Sequence, residues 1–336
     1  MRDIPKILFL GDMMPGENVY HIGRGIRTKY GHDYSHFIPE HIKGQLLNDI
    51  DVVVYNFEYS LVPNDFDFND FEASIYVSTL ESLKIIPDHV IRVVNIANNH
   101  FWEKGASRTK YTINALKEHG FFVAGENGKP TIVEIKGQRL LFWGASLIDW
   151  DVPVFTATYN DLLDKIELPK EKGCDDVWVM SIHWGTEFIT YPNRNQVELA
   201  HQLVDRGGDI IHGHHPHVFQ PIERYNNGLV MYSMGNFVFD ENFSIETQKS
   251  YCVKIAIDAG LPCECLLIKN RNYQPVSIRP LSEQSLAFID GVYWSERKKK
   301  LVSKTYNICR KIEFLFHIWE NNFYIYKSMK NRKKQL

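Results

Sequence analysis

Residues 212 to 217 read His-Gly-His-His-Pro-His, so four of the chain's fourteen histidines fall within six positions. Neutral imidazole is the commonest protein ligand for divalent metals, and it moves protons near neutral pH. That density points to metal or acid–base chemistry rather than packing. Polar groups suited to the same work follow other short apolar runs: Asp12 in FLGDMMPG, Asn56 and Glu58 in VVVYNFEYS, Asn98, Asn99, His100 and Glu103 in VVNIANNHFWEKG, and His183 and Glu187 in VMSIHWGTE. Singly, each has an ordinary account as a turn residue, a satisfied loop amide or a hydrogen-bonded core histidine. Five runs ending alike favour one shared site. In His215-Pro216-His217, extended backbone would point both imidazoles the same way, with the proline stiffening the segment. Nitrogen and oxygen donors without a thiolate suit Zn, Mn or Fe(II). Such an ion lowers the pKa of bound water and steadies charge on a phosphoryl or carbonyl oxygen, which is hydrolytic chemistry.

The elements that would carry these groups alternate. KILFL (6–10), DVVVY (51–55), IRVVN (91–95), VWVMSIHW (177–184) and DIIHG (209–213) read as strands buried on both faces. Residues 105–120 and 193–208 place apolar side chains at helical spacing and stop at glycine. This pattern predicts a layered α/β fold, in which the carboxyl ends of strands open on a common crevice. From 131 to 145 and from 218 to 280 the strands come close together, with turns expected at Lys136-Gly137 and Asn227-Gly228. Crossovers followed by hairpins predict a mixed sheet, or two sheets face to face, with helices outside.

Composition bounds the function. A chain of 336 residues with 44% hydrophobic content supports a large core, and a formal net charge of −3 offers no field for nucleic acid. Five cysteines without a Cys-x-x-Cys pair read as free thiols, and Cys263 and Cys265 as structural. The apolar run Ile7 to Leu10 is too short for a signal-peptide core or a membrane span, so a cytoplasmic location is expected. Residues 296–336 differ in kind, basic at both ends and aromatic between. They predict a helical appendage that docks on the main domain or rests on an anionic membrane surface, peripheral to the inner face.

GDMMPG, NFEYSL, ANNHFWEKG, HWGTEF, YPNRNQVELAHQLVDRGGDIIHGHHPHVFQPIE and YSMGNFVFD occur in an order that resembles the bacterial CapA family of capsule and poly-γ-glutamate biosynthesis proteins. The resemblance covers roughly residues 5 to 245. It implies a calcineurin-like metallophosphoesterase fold, a layered α/β arrangement of mixed sheets with flanking helices, over 1–283, followed by a C-terminal helical extension over 284–336. Carried over by motif, Asp12, Glu58, Asn99, His183, His215 and His217 resemble metal ligands and His100 a general acid, while Asn56, Glu187, His214 and Asn236 would line the substrate or steady the ligands. Met14 stands where the phosphoesterase pattern has histidine, and a thioether is a poor ligand for such ions. One metal position would keep Glu58, Asn99, His183 and His215; the other, with Asp12, a shared Glu58 and His217, is expected to be weak or empty. Glu103, where the family usually has Asp, is expected to make a loop contact. The resemblance thus implies a metal-dependent hydrolase or transferase of surface-polymer assembly, acting on a small-molecule or polymer substrate, with the appendage available to a membrane surface or a biosynthesis complex. The alternative is an accessory protein that keeps the metal without turnover.

Overall fold

The computed structural model describes residues 3–31, 33–148, 154–169 and 171–287, and parts of 300–312. Sixteen strands are formed among the described residues, of which the first eight are β1 (Lys6–Met13), β2 (Val52–Phe57), β3 (Ser60–Val62), β4 (Val77–Thr79), β5 (Ile91–Asn95), β6 (Phe121–Ala124), β7 (Thr131–Ile135) and β8 (Gln138–Ser146). The rest are β9 (Asp176–His183), β10 (Ile210–His214), β11 (Phe219–Tyr225), β12 (Gly228–Met234), β13 (Asn236–Val238), β14 (Lys249–Ala256), β15 (Cys263–Arg271) and β16 (Gln274–Leu281). One sheet runs β16-β15-β14-β1-β2-β5-β6 with β13 also paired to β1, a second runs β11-β12-β10-β9-β8-β7, and β3 and β4 form a separate ribbon.

Side-chain alternation decides the layers, since consecutive strand residues face opposite ways. Ile7, Phe9, Val52, Val54 and Val93 of the first sheet meet Val177, Val179, Ile210, Leu229 and Met231 of the second in one apolar layer. The intervening Leu8, Leu10, Val53, Tyr55 and Val94 pack outward with Ile42, Leu46, Ala115 and Leu116, from helices Glu40–Leu47 and Gly105–Glu118. Behind the second sheet, Trp178, Met180 and Ile211 pack with Val197, Leu199, Ala200 and Leu203 of helix Arg194–Asp205. The order is helix, sheet, sheet, helix, and both alternatives drawn from the hairpins hold together: two facing sheets, each mixed. β1, β2, β5 and β6 are parallel and continue into antiparallel β14 and β15. In the second sheet β8, β9, β10 and β12 are parallel, with antiparallel β7 and β11 at the edges.

Local chemistry fixes the ends. Asn193 and Gln196 make a reciprocal capping box at the start of helix Arg194–Asp205, each side chain accepting from the other's backbone N–H at 3.0 Å. Lys136 and Gly137 both take positive φ, as a two-residue hairpin turn requires. In the other hairpin Gly228 pairs with Tyr225, so the turn is Asn226-Asn227, one residue earlier than expected, because Gly228 has already joined the ladder.

Of the extension expected over 284–336, only 284–287 and parts of 300–312 fall within the described residues. Leu286 is buried in the inter-sheet layer and Ala287 bridges to Ile222, while described positions from 300 to 312 are helical. The Tyr306 ring packs on Phe188 at 4.9 Å and Phe243 at 5.5 Å. Among the described residues no helix is long and apolar enough to cross a membrane.

Candidate metal centre

Four inward-facing files of apolar residues end in polar ones. Val52 and Val54 lead to Asn56, Ile91 and Val93 to Asn95, Val177 and Val179 to Ser181 and His183, and Ile210 to His212 and His214. Asp12 joins them through an irregularity: Phe9 pairs with Val54 but Asp12 with Asn56, so β1 carries one extra residue. A bulge of this kind re-aims the side chains beyond it. Asp12 therefore faces the second sheet instead of following Leu8 and Leu10 outward. Gly11 beside it is packed so closely that a Cβ would lie 1.8 Å from the Gly235 carbonyl oxygen, and at Gly213 a Cβ would lie 2.0 Å from that of Tyr232.

The two sheets meet through these groups. His214 Nδ1 lies 3.0 Å from Asp12 Oδ1, and His183 Nε2 lies 2.8 Å from Asn99 Oδ1. Asn56 donates from Nδ2 to Asp12 Oδ1 at 3.0 Å and Glu58 Oε2 at 2.9 Å, and its own oxygen accepts from Asn95 and Asn98. Glu58 Oε1 lies 3.8 Å from His183 Nε2, 3.7 Å from His217 Nε2 and 4.0 Å from His100 Nε2. Asn236 donates to Glu241 and accepts at 2.9 Å from His217 Nδ1, which leaves Nε2 as the open nitrogen of His217. Donor atoms of Asp12, Glu58 and His183 lie within 4.8 Å of one another, and so do those of Glu187, His215 and His217. Asp12, Asn56, Glu58, Asn98, Asn99, His183, His214, His215, His217 and Asn236 are thus linked by contacts at one edge of the sandwich.

The arrangement is short of positive charge. Burial above all, then the charges of Asp12, Glu241 and Glu187, pushes the Glu58 carboxyl well above the usual carboxylate range. At Asp12 burial pushes the same way, but the hydrogen bond and charge of His214, then His217 and the Asn56 amide, outweigh it and hold that carboxyl low. Burial, followed by neighbouring imidazoles, holds His183 well below the ordinary histidine range and His215 down to about 3. His217 goes the other way: burial lowers it, but Glu241, Asp12 and Glu187 raise it further. Two buried donor atoms, Glu58 Oε1 and His215 Nδ1, have no hydrogen-bond partner among the described residues. An unsatisfied buried polar group costs about 1–3 kcal/mol, more for a charged one. A divalent cation would meet both, and imidazole, carboxylate and amide oxygen are its donor chemistry, so the residues present fit such an ion.

Three expectations change. His215 and His217 take φ of +92° and +55°, so the chain turns sharply instead of running extended, and a bond from Phe188 N–H to the Pro216 carbonyl at 2.7 Å holds that turn. The donor atoms group as Asp12, Glu58 and His183 and as Glu187, His215 and His217, so Asp12 stands beside Glu58 and His183, where His215 was expected, and Glu187 joins the two histidines. Glu103 makes more than a loop contact, lying 2.8 Å from His100 Nδ1. Met14 is buried in the apolar layer behind the first sheet, and its sulfur accepts from Gly16 N–H at 3.2 Å.

His100 is 12% exposed, with Asn99 Nδ2 3.2 Å from its Nε2 and Tyr76 stacked on its ring at 3.7 Å and 18°. Tyr76 gave no signal in the sequence, because it lies in the turn just before β4, outside every motif. His212 is also newly placed. Its Nε2 lies 2.9 Å from the Leu10 carbonyl, which can only accept, so its Nδ1 accepts from His214 Nε2 at 3.2 Å, and the chain of bonds ends at Asp12.

The sequence model described as bacterial capsule synthesis protein PGA_cap matches residues 6–241. The capsule biosynthesis protein CapA of Bacillus anthracis is 33% identical over 331 residues, covering 88% of this chain and 76% of that protein. The PGA biosynthesis protein CapA of Bacillus subtilis (strain 168) is 30% identical over 256 residues, covering 72% of this chain and 65% of that protein. Among solved structures, a putative 5'-nucleotidase from Staphylococcus aureus overlaps 91% of this chain and 58% of its own, with 12% identity and a TM-score of 0.47. The extent of the family match and the level of identity to its Bacillus relatives place this chain in the bacterial capsule synthesis protein family.

Proposed function

We propose that this chain is a metal-dependent hydrolase or transferase acting in the biosynthesis of a bacterial capsule or poly-γ-glutamate polymer. The observation that carries this reading is the convergence of Asp12, Glu58, Asn99 and His183 from both sheets, with Glu58 Oε1 buried and unpartnered among the described residues. These four residues would hold a divalent cation of the Mn, Zn or Fe type; a second position loses the donor that residue 14 would give it. Such an ion supplies Lewis acidity toward a phosphoryl or carbonyl oxygen and lowers the pKa of water. The chain's own part is positioning and proton transfer. Glu103 accepts from His100 Nδ1 and Tyr76 covers the ring face, so Nε2 is the nitrogen directed past Asn99 toward Glu58. Since Asn99 Nδ2 donates to Nε2 and Nδ1–H stays on Glu103, donation requires the doubly protonated ring, whose Nε2–H turns from Asn99 to the departing oxygen or nitrogen of the substrate and leaves a neutral imidazole.

Metal analysis of the purified chain, joined to a screen with phosphomonoester, phosphodiester and γ-glutamyl substrates, tests the reading. Turnover lost in His100→Asn with metal content unchanged supports it. A metal-loaded chain inert to every substrate supports an accessory role instead, the reading favoured by the thioether at position 14. The basic and aromatic sequence of 296–336 supports a contact with an anionic membrane surface or a biosynthesis complex. Fractionation of cells expressing the chain with and without those residues tests it.

A further inference from the structure

We propose that Glu187 completes a second divalent-cation position with His215 and His217, taking over the role of the donor absent at residue 14. It rests on the reading of the first position and extends it. One donor atom from each of the three residues lies within 4.8 Å of the others. Independently, His215 Nδ1 is buried and has no hydrogen-bond partner among the described residues, in a side chain that is 7% exposed. An imidazole nitrogen kept dry and unpaired is costly, and a cation removes that cost.

The surrounding structure holds these three groups together. Glu187 lies on the loop that leaves β9, and the two histidines lie on the turn that leaves β10, beside it in the same sheet. The Phe188 N–H donates to the Pro216 carbonyl at 2.7 Å, which bonds the loop to the turn between the two histidines. Asn236 accepts from His217 Nδ1 at 2.9 Å, so the ring presents Nε2, 3.7 Å from Glu58 Oε1. Met14 cannot contribute, since its sulfur accepts from Gly16 N–H and its side chain packs in the outer apolar layer. A carboxylate is also a better donor than a thioether for Zn, Mn or Fe(II). Two histidines and one carboxylate leave coordination positions open, as catalytic sites do and closed structural sites do not. The second ion would accordingly take an anionic or carbonyl oxygen of the substrate.

The test is metal stoichiometry and affinity of the full chain, stripped and reloaded with Mn²⁺ or Zn²⁺, read by elemental analysis and calorimetry. Wild type should bind two equivalents and Glu187→Gln one, with the other weakened at least about tenfold. His183→Asn should lose the opposite equivalent. Two equivalents of unchanged affinity in Glu187→Gln, or a single wild-type equivalent indifferent to Glu187 and lost in His183→Asn, overturns the second position and leaves the first standing. No binding by wild type overturns both. Should Glu187→Gln fail to fold, Glu187→His should bind two equivalents with the later one shifted toward Zn²⁺ over Mn²⁺, and an unshifted preference overturns the proposal.

Discussion

His100 works through neighbours that do no chemistry themselves. Its ring is fixed from three sides, by Glu103 at Nδ1, Asn99 at Nε2 and the Tyr76 ring over its face. Tyr76 holds φ at +51°, and its backbone N–H and carbonyl are both bonded, to Glu17 and Ser60. A non-glycine residue kept at positive φ persists where its surroundings over-determine it, often at a functional site. If stacking orients the imidazole, Tyr76→Phe keeps turnover, whereas Tyr76→Ala lowers kcat about tenfold or more with KM little changed. Equal kcat in the two variants shows the stack to be incidental. Asn56 has a different burden: its amide donates to both Asp12 and Glu58 while fully buried. Asn56→Leu leaves those oxygens short of a donor, and thermal melts should show a loss of about 2–4 kcal/mol.

At the level of elements, the site depends on where strands end and how closely they pass. Gly213 sits between His212 and His214 on β10, and the space a Cβ would need is filled by the Tyr232 carbonyl of β12 and the Trp184 indole nitrogen. Neither partner can retreat, because β12 pairs with β10 and Trp184 Nε1 donates to the Tyr232 carbonyl. Gly213→Ala should therefore spread those strands and lower both melting temperature and metal content, by overpacking of about 1–3 kcal/mol or more. Metal retention equal to wild type would show that β10 has slack. By contrast, the capping box at Asn193 lies at a helix start, so Asn193→Ala should cost about 1 kcal/mol in denaturant unfolding and leave metal content unchanged.

Across the whole molecule, stability should follow proton and metal uptake. His215 is held down to about 3 by burial first and the charge of His217 second, against 6.5 in an unfolded chain. Between those values the unfolded chain carries a proton that the folded chain excludes. The stability tied to this group is complete above about pH 6.5 and is lost as pH falls toward 3. Burial puts Asp240 on the opposite course, raised to about 7 from 3.8, so its contribution is complete below about pH 4 and is lost as pH rises through 7. Melts from pH 7 to 4 should therefore fall less steeply in His215→Asn than in wild type, while Asp240→Asn should gain most above pH 7. Parallel profiles in all three chains would contradict these assignments. Chelation at neutral pH should lower the melting temperature, since an ion bound only by the folded state stabilises by about 4 kcal/mol at a thousandfold excess over its Kd.

Five core strands and the helices over 105–120 and 193–208 were legible because burial on both faces writes continuous β-branched runs and a helix face repeats every three to four residues, whereas helix Glu40–Leu47 and the short β3, β4 and β6 were not. The polar residues at the ends of those runs marked the donors for the same reason: an apolar file that stops at Asn56, His183 or His214 stops where a dry layer meets something charged. Alternation alone, however, sends Asp12 outward with Leu8 and Leu10, and only the extra residue before it in β1 turns it inward. Sequence spacing likewise made His215 and His217 extended neighbours, whereas the fold bends them through positive φ and brings Glu187 to them from another loop. Which residue types could bind a cation is a property of their chemistry and is written in the chain. Which of them share one position depends on a bulge, a turn and a contact between two sheets, and those exist only once distant segments are packed together.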